Sequence, residues 1–202
     1  MAKTSGGIRN SPRRKQDGAP NGATEKGYTQ KMARNITLAE GTIRNNRDES
    51  LLVFSPEGDL LKRIQGKGPS VSYAGITIPE NSIITHNHPR ALGQKGIKAI
   101  GNSFSQDDIV SAVSTNAKEI RAVTPTYTFS VKRPKGGWGG SPEQIGTAFA
   151  RASRDVNIEL RGYVARQDYS DTSVARAETT HFHKVMQKMS KQYGWIYSKK
   201  RG

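Results

Sequence analysis

From residue 51 to residue 131 the apolar positions fall in short runs separated by turn residues, which is the pattern of β-strands. Leu51-Leu52-Val53-Phe54 is a continuous apolar run of strand length. Ser55-Pro56-Glu57-Gly58-Asp59 follows with strong turn chemistry, Pro presetting one dihedral and Gly permitting a positive one. Leu60 to Ile64 resume as a second strand, which makes a hairpin. Ser70 to Ile78 reads as a further strand. Ile83-Ile84-Thr85-His86-Asn87-His88 reads as a buried strand ending at Pro89, which cannot donate to a sheet ladder. Residues 90–104, rich in Gly and Lys, read as a loop. Ile109 and Val113 lie at i, i+4 in a helix predicted from Ser105 to about Ser114. Ile120–Val123 and Tyr127–Val131 are the last two predicted strands.

The flanks have other patterns. Residues 1–30 show neither periodicity and read as a flexible arm, with a short helix over residues 31–45 around Met32, Ile36 and Leu38. Lys132 to Gly140 is a linker by composition. Ser141 is a good N-cap, with Pro142 in the first helical position and Gln144 completing a capping box. Ile145, Ala148, Phe149, Ala152 and Val156 then keep the helical period. A last helix is expected from about Thr172 to Tyr193, with Phe182, Val185, Met186 and Met189 on one stripe and Gly194 as its stop. The expected organisation is a basic arm over 1–47, an α/β domain over 48–134, and a linker with C-terminal helices over 135–202.

The chain has no cysteine, so any metal must sit on His, Asp or Glu. No apolar run approaches the ~20 residues of a membrane span, and residues 1–30 lack the apolar stretch of a signal peptide. These features lead to an expectation of a protein that is cytoplasmic or virion-associated, with no membrane partner. The net charge is +15, which favours polyanions such as nucleic acid. Residues 1–47 contribute ten Lys/Arg against Asp17, Glu25 and Glu40, and Lys199-Lys200-Arg201 add a second cluster. A solvated, solubilising tail accounts for the same charge equally well.

All four histidines lie in H-x-H pairs, and the local element decides what each pair can do. At a strand end, His86 and His88 project from one face and can meet one ion. His181 and His183 lie in a helix, where residues two apart do not share a face, so they form a poor chelate. Two imidazoles and one carboxylate make a zinc set that leaves a position open for water. Asp108, in the first turn of the next helix, is placed to supply the carboxylate, with Asp107 as its competitor. The Ser105-x-x-Asp108 spacing is equally that of a capping box.

His86-Asn87-His88-Pro89 followed by Ser105-Gln106-Asp107-Asp108-Ile109 resembles the H-x-H-P and S-x-x-D signature of JAB/MPN/JAMM metalloproteases. The stretch from Glu49 to Val131 is similar to the RadC-like and phage-associated branches, including the Glu119–Val123 strand and the Tyr127, Val131, Arg133 and Pro134 pattern. The resemblance implies a cytidine-deaminase-like α/β fold, with a mixed sheet and flanking helices. It implies zinc on His86, His88 and Asp108, Ser105 stabilising a tetrahedral intermediate, and an upstream Glu as general base. By position that Glu is Glu49; Glu57 and Glu40 fit less well. The implied activity is zinc-dependent cleavage of a peptide or isopeptide bond in a protein substrate. Sixteen residues separate His88 from Ser105, longer than the family's usual gap. The rival expectation is a non-catalytic module of a phage or mobile element that contacts nucleic acid or virion proteins through its basic arm.

Overall fold

The computed structural model describes residues 28–71 and 75–202. It is an α/β structure built on a six-stranded, open, mixed sheet with four α-helices. In chain order the elements are α1 (Gln30–Ile43), β1 (Ser50–Phe54), β2 (Leu60–Gln65), β3 (Ile83–Asn87), α2 (Gln106–Ser114), β4 (Glu119–Val123), β5 (Tyr127–Lys132), α3 (Pro142–Ala165), α4 (Asp171–Tyr193) and β6 (Ile196–Arg201). The strand order is β2-β1-β3-β4-β5-β6, with β3 and β4 parallel and every other pair antiparallel.

β1 and β3 are buried at every position because both faces of the sheet are covered. Leu51, Val53 and Ile84 point into a core shared with α2, α3 and α4. Leu52, Phe54 and Ile83 point the other way, against Met32, Ile36 and Ile43 of α1. The core therefore takes in α1, which composition assigns to the arm. Its apolar stripe is Met32, Ile36 and Ile43, whereas Leu38 is exposed. Residues 1–27, most of the predicted arm, lie outside the described residues.

β4 shows why α1 belongs to the core. Its alternation puts Ile120 and Ala122 in the α2–α4 core and turns Glu119 and Arg121 toward α1. Arg121 donates to Glu40 of α1 at 2.6 Å and to Glu119 at 2.9 Å, and the Tyr28 hydroxyl donates to Glu119. Buried charges survive only when paired and hydrogen-bonded in this way.

The C-terminal segment shares the same core. Ile145, Phe149 and Val156 of α3 pack with Val185, Met186 and Met189 of α4 and with the sheet. The capping box of α3 forms as predicted, on Ser141 and Gln144. The glycine-rich linker is anchored by Trp138, which is buried and donates its indole N–H to the Ala117 carbonyl at 3.0 Å. Gly194 ends α4 in the left-handed region and turns the chain into β6. The Lys199-Lys200-Arg201 cluster is thus part of an edge strand paired with β5.

The strand predicted over Ser70–Ile78 does not form among the described residues. Ser70 makes one isolated bridge to Lys67, and Gly75 takes a φ of 73° that breaks an extended run. Residues 72–74 lie outside the described residues. Both edges of β1 are already occupied, by β2 and β3.

Candidate metal centre

The centre lies at the C-terminal end of β3, where the sheet meets the start of α2. Antiparallel pairing sets Leu51 opposite His86, and the same register carried two residues further brings Glu49 level with His88. The two-residue period puts Glu49, His86 and His88 on the α2–α4 face with Leu51 and Ile84. His86 is fully buried, Glu49 is buried, and His88 is at the rim.

Asp108 comes from the first turn of α2. Its Oδ2 accepts the Ser105 backbone N–H at 2.7 Å and the Ser105 hydroxyl at 2.8 Å, while the Asp108 N–H donates to Ser105 Oγ at 3.2 Å. The capping box and the ligand geometry coexist. The cap fixes Oδ2, and Oδ1 is aimed at His86 Nε2, 3.4 Å away. His88 Nε2 lies 3.9 Å from Oδ2 and 2.8 Å from His86 Nε2. One ligand atom from each of the three residues falls within 4.8 Å of the others. The structure thus brings His86, His88 and Asp108 together, with Ser105 on the carboxylate. Asp107 is exposed.

The arrangement fits a small divalent cation. With metal–ligand bonds of ~2.0–2.1 Å, a tetrahedral site has edges of about 3.3 Å, close to the His86–Asp108 separation. His88 Nδ1 faces the Asn102 carbonyl at 2.9 Å, so Nδ1 carries the proton and Nε2 keeps its lone pair. Two imidazole nitrogens this close, beside a carboxylate, share either a proton or a cation. His86 Nδ1 is buried without a partner, so only its Nε2 side is provided for.

The electrostatics favour a neutral His86 imidazole and an ionised Asp108 carboxylate. Burial, and to a lesser extent the neighbouring His88, hold the His86 pKa down at about 4, outweighing the attraction of Asp108. Burial alone would raise Asp108. His86, His88 and the two bonds from Ser105 outweigh it and keep the carboxyl below its usual range. Glu49 moves the other way, pushed up to about 8 by burial and then by the Asp108 charge.

The long connection from His88 to Ser105 does not displace the centre. It folds into two short 3-10 turns, Pro89–Ala91 and Gly96–Ile100. Gly101, at φ 69°, passes so close to Thr124 and Ala91 that a Cβ would lie 2.7 and 2.9 Å from them. Asn102 then reaches His88, and Phe104 packs edge-on to His86 with ring centres 6.2 Å apart.

Asn87, between the two histidines, points to the opposite face, and nothing in the sequence pattern marks its role. Its Oδ1 accepts the Ser50 N–H at 2.7 Å, and its amide donates to the carbonyls of Asn46 and Asp48. It ties down the backbone on both sides of Glu49. Gly66 completes that support, donating to the Glu49 carbonyl at 2.8 Å where a Cβ would meet the same oxygen at 2.9 Å.

The chain matches no family model, no curated protein and no solved structure. The other predicted acids are elsewhere: Glu57 is exposed in the β1–β2 turn, and Glu40 is paired with Arg121 across the sheet. His181 and His183 address different elements, His181 facing Ser153 of α3 and His183 facing Tyr197 of β6. Among the described residues no helix is long and apolar enough to cross a membrane.

Proposed function

We propose that the chain is a zinc-dependent hydrolase of JAB/JAMM type that cleaves a peptide or isopeptide bond, on a cytidine-deaminase-like sheet. The observation that carries this reading is the meeting of His86, His88 and Asp108 within 4.8 Å beside a buried Glu whose pKa is drawn toward neutrality. A zinc ion bound there would supply Lewis acidity and a water of pKa about 7. Glu49, level with His88, takes a proton from the attacking water and returns it to the leaving amine. A cation beside it would favour the ionised, proton-accepting form of Glu49, which burial and Asp108 disfavour in the metal-free chain. Asp108 holds its charge because Ser105 caps it. Turning the Ser105 hydroxyl toward the developing oxyanion releases one of the two bonds on Oδ2 and leaves the backbone N–H in place.

Metal analysis of the purified chain beside His86→Ala/His88→Ala tests the reading. About one zinc per wild-type chain and none in the variant supports it. A wild-type chain that takes up no zinc overturns it. Glu49→Gln is expected to keep the metal and abolish turnover of an isopeptide-linked substrate.

The net charge of +15 favours a second reading, a non-catalytic module of a phage or mobile element that contacts nucleic acid or virion proteins. Tight, salt-dependent binding of DNA by a chain that takes up no zinc would favour this alternative.

A further inference from the structure

The side of α4 that faces β6 carries a cluster that the metal centre does not use. A groove of about 600 Å3 runs between the two elements, lined by His183, Gln187, Ser190, Lys191, Tyr197 and Lys199. Its lining contains two lysines and a histidine but no carboxylate. Among the described residues no carboxylate forms an ion pair with Lys191 or Lys199. Two neighbouring lysines of the same helix do have such partners: Lys184 pairs with Glu159 and Lys188 with Asp155.

The groove is held in shape. Tyr197 and Lys199 share one face of β6 by the two-residue period. The Lys199 ammonium sits over the Tyr127 ring at 4.3 Å and near Phe129 at 5.7 Å, which fixes it without neutralising it. His183 Nδ1 is 2.7 Å from the Tyr197 hydroxyl, which is 2.9 Å from Ser103 Oγ. With Nδ1 engaged, Nε2 is the nitrogen left to face a ligand. Ser190 Oγ is buried and has no hydrogen-bond partner. Burial depresses the Lys199 pKa, and burial with the nearby Lys199 and Lys184 depresses that of His183. A bound anion relieves both.

We propose that this groove is a binding site for a phosphate group. Two ammonium groups, an imidazole, an amide and a hydroxyl distributed around one groove match a compact anion with several acceptor oxygens. They match a planar carboxylate, which takes its donors in one plane, less well. The phosphate can be free or part of a nucleic-acid backbone. The proposal is independent of the zinc reading.

Titration calorimetry on the full chain, with pyrophosphate and separately with a single-stranded oligonucleotide, tests it. Pyrophosphate is expected to bind the wild type, and Lys191→Gln/Lys199→Gln to weaken that binding tenfold or more. Lys188→Gln, which removes a paired lysine outside the groove, is expected to leave it within twofold. Should the double variant fail to fold, exposed Lys191→Gln alone is expected to weaken binding about threefold. Oligonucleotide binding that pyrophosphate displaces identifies a nucleic-acid backbone as the source, and pyrophosphate binding alone identifies a free phosphate. A wild type that binds no pyrophosphate at millimolar concentration overturns the proposal. So does equal weakening by Lys188→Gln, or no weakening in the groove variants.

Discussion

Glu49→Gln separates the electrostatics of the centre from its catalysis, because it can be read in metal-stripped protein by stability alone. The Glu49 carboxyl titrates near 8 in the folded chain, against 4.5 ordinarily. The folded state therefore keeps a proton that the unfolded chain gives up, and stability falls as pH rises from about 4.5 to about 8. At ~1.4 kcal/mol per pH unit the full effect is about 5 kcal/mol. Water reaching the rim of the site screens this, and about 2 kcal/mol is the working expectation. Gln at position 49 does not titrate. The variant should thus gain on the wild type with rising pH, by about 2 kcal/mol between pH 5 and 8. The gap should stop growing above pH 8. His86, whose pKa is depressed, carries stability that is lost as pH falls from about 6.5 to about 4. Glu119, raised by burial, has the same sign as Glu49. Both are present in the two proteins and cancel in the difference. Urea denaturation at several pH values in the presence of chelator gives the curves. A difference that stays constant from pH 5 to 8 would show that Glu49 does not feel the buried site as argued.

The remaining predictions concern the metal and its supports. Zinc at a hundred times its Kd should stabilise the chain by about 2.7 kcal/mol and raise Tm by roughly 5–10 °C; His86→Ala/His88→Ala should abolish the shift in differential scanning fluorimetry. Asn87→Ala removes three hydrogen bonds and leaves the buried Ser50 N–H unpaired. It should cost about 2–4 kcal/mol in denaturant unfolding, and a loss under 1 kcal/mol would dismiss its role in holding the segment around Glu49. Gly101→Ala forces a Cβ into Thr124 and Ala91 at a positive φ. It should cost about 1–3 kcal/mol and, by shifting Asn102, weaken zinc uptake more than an exposed Gly136→Ala does.

Much of the centre was legible because strand and helix periods have different consequences for the same H-x-H spacing. His86 and His88 share a face because Ile83–Asn87 is extended, and His181 and His183 diverge because Asp171–Tyr193 is helical. Asp108 was ambiguous for a physical reason. A capping box and a ligand set use the same carboxylate, and spacing cannot show that Oδ2 serves one and Oδ1 the other. The role of Asn87 is invisible along the chain, since its partners Asn46, Asp48 and Ser50 lie about forty residues away. β6 was missed because Ile-Tyr-Ser-Lys-Lys-Arg lacks a clean apolar face. An edge strand needs little of one, and pairing with β5 supplies what the pattern does not. The extent of the core was misjudged because Glu40 reads as arm until Arg121, eighty-one residues on, is seen to need it.

Glu40, Glu119 and Glu49 show how position in the sheet divides the labour among buried acids. Glu40 and Glu119 face α1 and meet Arg121, which satisfies them in place. Glu49 faces the other side, where its nearest charged neighbour by influence is Asp108, a like charge. Burial without a cationic partner makes Glu49 costly to ionise, and stability alone would favour an apolar residue there. A cation held by His86, His88 and Asp108 would remove that cost: it would offset the Asp108 charge, favour the ionised form of Glu49, and give both carboxylates one counter-ion. Such an ion would also account for the paired imidazole nitrogens 2.8 Å apart. A positive ion at one point would relieve each of these features, whereas on the opposite face Arg121 already supplies the counter-charge to Glu40 and Glu119.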